Sequence, residues 1–132
     1  MLFSSRVRRF EADYRAAVAP AFGRGLPVTL CTIYNGNLEP ERAEIARMAL
    51  TLFNDVIVRV ALERAARLID LRLVCTAPAD FANPIEPSGA GGRKIAQAIA
   101  ETWSGRTSFR HPADSSDRAT RPTQDPADRQ SR

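Results

Sequence analysis

Cysteine, histidine and lysine are scarce in this sequence of 132 residues, which holds two cysteines, one histidine and one lysine. Cys31 and Cys75 have no metal-ligand spacing such as Cys-x-x-Cys, so we predict neither a metal nor a cofactor. Each cysteine lies near the end of an apolar run, which favours two buried free thiols in a reducing compartment.

Long apolar runs are also missing. No run approaches the roughly 18 residues that a membrane span needs. Charged residues such as Arg6, Arg8 and Glu11 occupy the place where a signal peptide would have its apolar region. We therefore predict a cytoplasmic protein that does not bind membranes.

Positive charge is only weakly in excess, with a net charge of +4, and the basic residues form no cluster. The sequence therefore predicts no nucleic-acid partner, and binding through the arginines near the C-terminus is the weakest alternative. Residues 104–132 contain no Leu, Ile, Val, Met, Cys, Trp or Tyr. We predict a disordered tail there and one domain over residues 1–103.

The spacing of apolar residues predicts helices alternating with two strands. The predicted elements are a helix over 3–18 closed by Pro20, a strand over 26–34, a helix over 40–67, a strand over 68–74 and a helix over 88–103. A strand, a long helix and a second strand predict a βαβ unit with parallel strands. Asn35 and Asn37 follow the first strand, at the edge where α/β proteins bind ligands.

The stretch from Asn83 to Ile99 combines a stiff loop with a helix start. Pro84 and Pro87 restrict the loop, and Ser88 is a good N-cap residue. Glu86 is thus delivered next to a helix N-terminus, where a carboxylate stays ionised.

This stretch resembles the last characteristic segment of the SGNH (GDSL-type) esterases and lipases, which reads Asp-x-x-His-Pro-Ser before a Gly and a helix with an Ile-Ala pair. The matching residues are Pro87, Ser88, Gly91, Ile95 and Ala96. Asn83 stands where the family has its Asp, and Glu86 stands where it has its His. The order Asn54, Ile57, Ala61, Ile69, Asp70, Leu71 matches a second family pattern, so the resemblance covers about Leu26 to Ile99.

The resemblance implies a three-layer, flavodoxin-like α/β fold with a parallel sheet, of which this chain would be the C-terminal half. It also implies ester hydrolysis by a serine nucleophile. The sequence has no Gly-Asp-Ser and no Gly-x-Asn-Asp, and its only histidine is His111, in the predicted tail. Ser108 stands where an Asp should precede that histidine, so we interpret His111-Pro112 as a coincidental match.

We therefore expect an SGNH-type ester-hydrolase-like domain that is catalytically incomplete and would meet an ester substrate only if an N-terminal half completed it. The candidate catalytic residues are Glu86, Asn83 and Asp80. Each has a structural alternative: Glu86 would brace the loop, Asn83 would be a turn residue, and Asp80 would be a solvated loop acid. The alternative function is a non-catalytic interaction module, which pairs through an exposed sheet edge with itself or with a missing N-terminal half.

Overall fold

The computed structural model describes residues 2–105 and the side chains of residues 4–105, and this part of the chain is mostly helical. In chain order the elements are α1 (Leu2–Phe22), β1 (Thr29–Cys31), α2 (Pro40–Glu63), β2 (Arg67–Ile69), α3 (Leu71–Val74), a 3-10 turn (Pro78–Asp80) and α4 (Gly89–Trp103). The predicted tail beyond residue 105, with Ser108 and His111, lies outside the described residues.

The two strands pair in parallel, with Thr29 opposite Arg67 and Cys31 opposite Ile69. The predicted parallel pairing is confirmed. Within residues 2–105, however, the sheet has only these two strands. The predicted three-layer, flavodoxin-like fold is therefore wrong, because the described chain is a helical assembly around a short two-stranded ladder.

The strands are shorter than predicted because polar side chains form hydrogen bonds with the backbone groups just beyond the end of each strand. Beyond β1, both the N–H and the carbonyl of Ile33 bind the side chain of Asn54. Beyond β2, the Asp70 carboxylate accepts the N–H of Arg72 and so caps α3. The apolar run predicted as a single strand over 68–74 is thus divided between a strand and a helix. The periodicity of so short an apolar run does not distinguish these two structures.

The first helix runs two residues past Pro20, where we predicted that it would end. A proline removes one backbone donor, and here the last turn survives because Gly23 N donates to the Ala19 carbonyl. On its outer side, α1 is tied to α2 by ion pairs between Arg15 and Glu63 (2.6 Å) and between Arg59 and Glu11 (3.1 Å).

The long helix begins at Pro40 as predicted, but it ends at Glu63 rather than near Arg67. The cause is a turn in which Ala65 adopts a positive φ of 50° and Ala66 N donates back to the Ala61 carbonyl. Only the C-terminal half of the predicted apolar stripe is buried. The core consists of Leu30, Val56, Ile57, Val60 and Ala61, and the apolar face of α1 packs against it.

The N-terminal half of that stripe is uncovered. Ile45 is 64% exposed, Met48 is 60% exposed and Leu52 is 44% exposed. The prediction that these three residues lie in the core is wrong for the described chain, since no element of residues 2–105 packs over them. We call them the α2 patch.

The last helix packs against β2, α3 and the 3-10 turn. Ser88 caps it as predicted. Both cysteines are free; Cys75 is buried and Cys31 is half-buried. Among the described helices, none combines the length and the apolar character that a bilayer crossing requires.

Candidate functional site

Two loops meet beyond the carboxyl ends of the parallel strands, one with Asn37 and the other with Glu86. We call them the β1 loop (residues 32–39) and the cap loop (residues 75–88). Asn37 N donates to the Pro84 carbonyl (2.9 Å), and the Tyr34 hydroxyl donates to the Ile85 carbonyl (2.8 Å). The two loops therefore form one continuous surface at the sheet edge.

Gly36 makes this close approach of the loops achievable. Its φ is +76°, and a Cβ at this position would lie 2.7 Å from the Pro84 carbonyl oxygen. Glycine is thus required for both the backbone conformation and the contact. The Tyr34 ring packs on Phe81 with 5.6 Å between centroids, which fixes the same junction from the other side.

Asn83 and Glu86 form a hydrogen-bonded pair on the exposed face of the cap loop. The Asn83 Oδ1 accepts the N–H groups of Ile85 (3.0 Å) and Glu86 (2.9 Å), and its Nδ2 donates to Glu86 Oε2 (2.6 Å). Ala82 N donates to the Glu86 carbonyl (2.9 Å). Glu86 therefore braces the loop and Asn83 shapes its turn, while a catalytic role for either residue stays a prediction.

Asp80 is not the solvated acid that the sequence suggested, since it is only 2% exposed. Its carboxylate accepts the N–H groups of Thr76 and Ala77 (3.0 Å each) and pairs with the Lys94 ammonium at 2.7 Å. The Lys94 ammonium and these backbone donors hold the pKa of Asp80 below its usual range. Asp80 therefore anchors the cap loop to α4, and a catalytic role for it stays a prediction.

Lys94 could have been noticed beforehand as the only lysine in the chain. It lies on the first turns of α4, close to a loop that contains only two acids. Helical spacing alone did not indicate which of these acids it would pair with, because that depends on the path of the cap loop.

Ser88 and Gly91 attach the start of α4 to the cap loop. Ser88 Oγ accepts the N–H groups of Ala90 (3.1 Å) and Gly91 (3.2 Å), and its hydroxyl donates to the Ala79 carbonyl (2.7 Å). Ser88 N donates to the Asp80 carbonyl (2.7 Å). The Ser88 hydroxyl is therefore committed to capping, and its proton is held by a carbonyl rather than by a base.

A second polar cluster joins the ends of β1 and β2. The Thr32 hydroxyl donates to Asp70 Oδ1 (2.7 Å) and accepts the N–H of Leu71 (2.9 Å). The Arg72 guanidinium, with help from Thr32, lowers the pKa of Asp70 to about 2. Asp70 matches the family pattern in sequence, and its contacts here are those of a helix cap.

An open apolar groove of about 380 Å³ lies beside the β1 loop. Its lining residues are Ile33, Tyr34, Asn35, Gly36, Leu38, Ala46, Ala49, Leu50, Phe53 and Ile85. The volume is within the range of small-molecule sites. Asn35, predicted as a possible ligand contact, lines this groove, and Asn37, predicted with it, is not among the lining residues. The exposed Asn83–Glu86 pair lies on the same loop as Ile85.

The described residues offer no activated nucleophile for this groove. Burial raises the pKa of the Cys31 thiol and, with Asp80, that of Cys75. A raised thiol pKa leaves little thiolate at neutral pH. No group of three or more potential metal ligands is present in the described part of the chain.

Comparison with known proteins gave no neighbour from which a function could be transferred. No family model, no curated protein and no solved structure matches this chain.

Proposed function

We propose that this chain is an SGNH-type ester-hydrolase-like domain whose catalytic machinery is incomplete within its own sequence. The observation that carries the proposal is the junction of the two loops, in which the exposed Glu86 directly follows Ile85, a residue that lines an apolar groove. Glu86 occupies the position at which the resembled family has its catalytic His. The groove would take the acyl or alcohol part of an ester.

Acyl transfer needs a nucleophile, a base and donors that stabilise the oxyanion. The sequence contains no Gly-Asp-Ser segment, and the Ser88 hydroxyl is used as a helix cap. A segment outside this sequence would have to supply the serine and the oxyanion donors. This chain would then contribute Glu86 as the base, with Asn83 holding its carboxylate in place.

The purified chain should not hydrolyse p-nitrophenyl acetate faster than a buffer blank. The Ser88 hydroxyl donates to a carbonyl, and the Thr32 hydroxyl is buried and donates to the Asp70 carboxylate, whose low pKa makes it a poor base. A fluorophosphonate probe should label no residue. The matched control is Glu86→Gln, which should give the same background rate as the unmodified chain. Turnover above the blank that the fluorophosphonate abolishes would overturn the proposed incompleteness.

A second function is favoured by a different observation. The two-stranded sheet has unpaired edges within residues 2–105, and the α2 patch exposes large apolar side chains. Unpaired edges and contiguous apolar surface are typical of protein–protein contact sites. The alternative proposal is therefore a non-catalytic interaction module that pairs through the sheet edge with itself or with another chain.

Light scattering after size-exclusion chromatography tests this second function. As the protein concentration rises, the apparent mass should increase above that of one chain, because the uncovered edges associate weakly when no better partner is present. The measurement is made in reducing buffer, so that disulfides through Cys31 or Cys75 do not contribute. A monomer at all concentrations that unfolds in a sharp cooperative transition would contradict the interaction module.

A further inference from the structure

The free edge of β1 has a definite hydrogen-bonding pattern. Arg67 N donates to the Val28 carbonyl, and Thr32 N donates to the Ile69 carbonyl. Even-numbered residues of β1 therefore direct their backbone groups to β2. Because successive residues of a strand point these groups to opposite sides, Thr29 and Cys31 direct theirs away from β2. Each leaves one N–H and one carbonyl on an edge that has no third strand within residues 2–105.

The backbone N–H and carbonyl of the next outward-facing residue, Ile33, already have hydrogen-bond partners. Its N–H donates to Asn54 Oδ1 (2.7 Å), and its carbonyl accepts from Asn54 Nδ2 (2.9 Å). The buried amide of Asn54 thus offers the same donor and acceptor that a neighbouring strand would offer. The open part of the edge is limited to Thr29 and Cys31, and Asn54 marks its end.

The apolar face of α1 comes close to β1 at Tyr14, whose hydroxyl interacts with the Cys31 thiol. The face consists of Val7, Phe10, Tyr14, Val18 and Phe22, all of which are only partly buried although they pack against the core. Burial, with a smaller contribution from the nearby Cys31 thiol, raises the pKa of the Tyr14 hydroxyl. The α1 face therefore retains accessible apolar surface, part of which, at Tyr14, lies close to Cys31.

We propose that the outward side of β1 is a slot for one extended, apolar strand supplied by another chain. The strand exchanges backbone hydrogen bonds with Thr29 and Cys31, and its side chains cover the partly buried face of α1. Asn54 sets the register, because it prevents pairing beyond Cys31. This inference rests on the interaction module proposed above, and it specifies the edge, the register and the kind of partner.

The tail of this chain does not fit the slot. Its 29 residues from Ser104 contain one Phe and no Leu, Ile, Val, Met, Trp or Tyr. An extended strand held at a half-buried edge needs β-branched or aromatic side chains on the covered face. Residues 104–132 are therefore not the occupant. We assign the slot to a strand of a different chain, and a second copy is an outcome that the experiment distinguishes.

Amide hydrogen exchange measured by NMR tests the slot at single residues. At a protein concentration at which light scattering gives one chain, the amides of Thr29 and Cys31 should exchange fast and those of Leu30 and Thr32 slowly. The probe is a capped hexapeptide of alternating valine and threonine. When nine-tenths of the protein is bound, exchange at Thr29 and Cys31 should slow by about tenfold.

Two matched controls keep the test specific. The same peptide with alternate backbone nitrogens methylated retains its side chains but loses donors, and it should leave Thr29 and Cys31 unprotected. Thr29→Pro removes an outward N–H while sparing the bonds to β2, so it should weaken peptide binding by about tenfold relative to Thr29→Val. The methylated peptide leaves the protein unchanged, so the test survives if Thr29→Pro fails to fold.

Three outcomes would overturn the slot. Peptide binding that leaves exchange at Thr29 and Cys31 unchanged would place the interaction elsewhere, and the interaction module would survive. Protection of these two amides by concentration alone, with no effect of the peptide, would assign the edge to a second copy. Absence of any peptide binding would exclude the slot for an extended apolar strand, and the light-scattering result would then decide the interaction module by itself.

Discussion

Replacing Gly91 by alanine should lower the free energy of unfolding by about 3 kcal/mol. A Cβ on Gly91 would overlap the carbonyl oxygen of Asp80, which already accepts the N–H of Ser88. The obstacle is backbone rather than a flexible side chain, so relief requires α4 and the cap loop to separate. Separation would break the Asp80–Lys94 contact, because these residues lie on the two parts that move apart. Urea unfolding followed by circular dichroism measures the change.

Gly92 is the matched control for this substitution. It follows Gly91 directly in α4, and a Cβ there would meet nothing within 4 Å. Gly92→Ala should therefore raise stability by about 0.5–1 kcal/mol through the better helix propensity of alanine. Equal effects of the two substitutions would show that helix propensity, and not the contact with Asp80, determines the tolerance of this turn.

Replacing Asn54 by alanine should cost roughly 2–4 kcal/mol, since it leaves a paired donor and acceptor without partners in a buried place. Asn54 is 1% exposed, and both of its side-chain hydrogen bonds go to the backbone of Ile33. The loss should be seen first as faster amide exchange at Ile33. It should also lengthen the open edge of β1, because the side chain that occupies the outward groups of Ile33 is gone.

The neighbouring acid provides the control for Asn54. Asp55 is exposed and pairs with Arg59 four residues later. Exposed pairs of this kind contribute little, so Asp55→Ala should change stability by less than about 1 kcal/mol. A comparable loss for Asp55→Ala and Asn54→Ala would mean that the helix surface, rather than the link to Ile33, accounts for the effect.

Local chemistry made parts of this fold predictable from sequence. Pro40 marks the start of α2, and Ser88 marks the start of α4, because each acts within its own turn. The parallel pairing of β1 and β2 also followed, since a long helix between two strands leaves few other arrangements. These inferences needed no information about residues far away in the chain.

The wrong predictions concern segments whose structure depends on contacts with residues far away in the sequence. The strand predicted through Ile33 is cut short by Asn54, which lies 21 residues away in sequence. The burial of Asp80 depends on Lys94, 14 residues later and on another element. Apolar periodicity also predicted a buried Met48, but it cannot say which apolar positions find a neighbour. The larger sheet was implied by the family resemblance, and the described residues form only two of its strands.

The conformation of the cap loop at Glu86 is fixed mainly by backbone hydrogen bonds and depends little on the side chain at this position. The backbone of Glu86 is fixed by Asn83 Oδ1 and by Ala82 N, and its side chain adds one further hydrogen bond on an exposed surface. A different side chain at this position would lose that single bond and keep the loop. Evolution could therefore exchange the residue at position 86, and with it any catalytic role, in one step and at small cost to folding. The loop geometry would persist whichever residue stands at position 86.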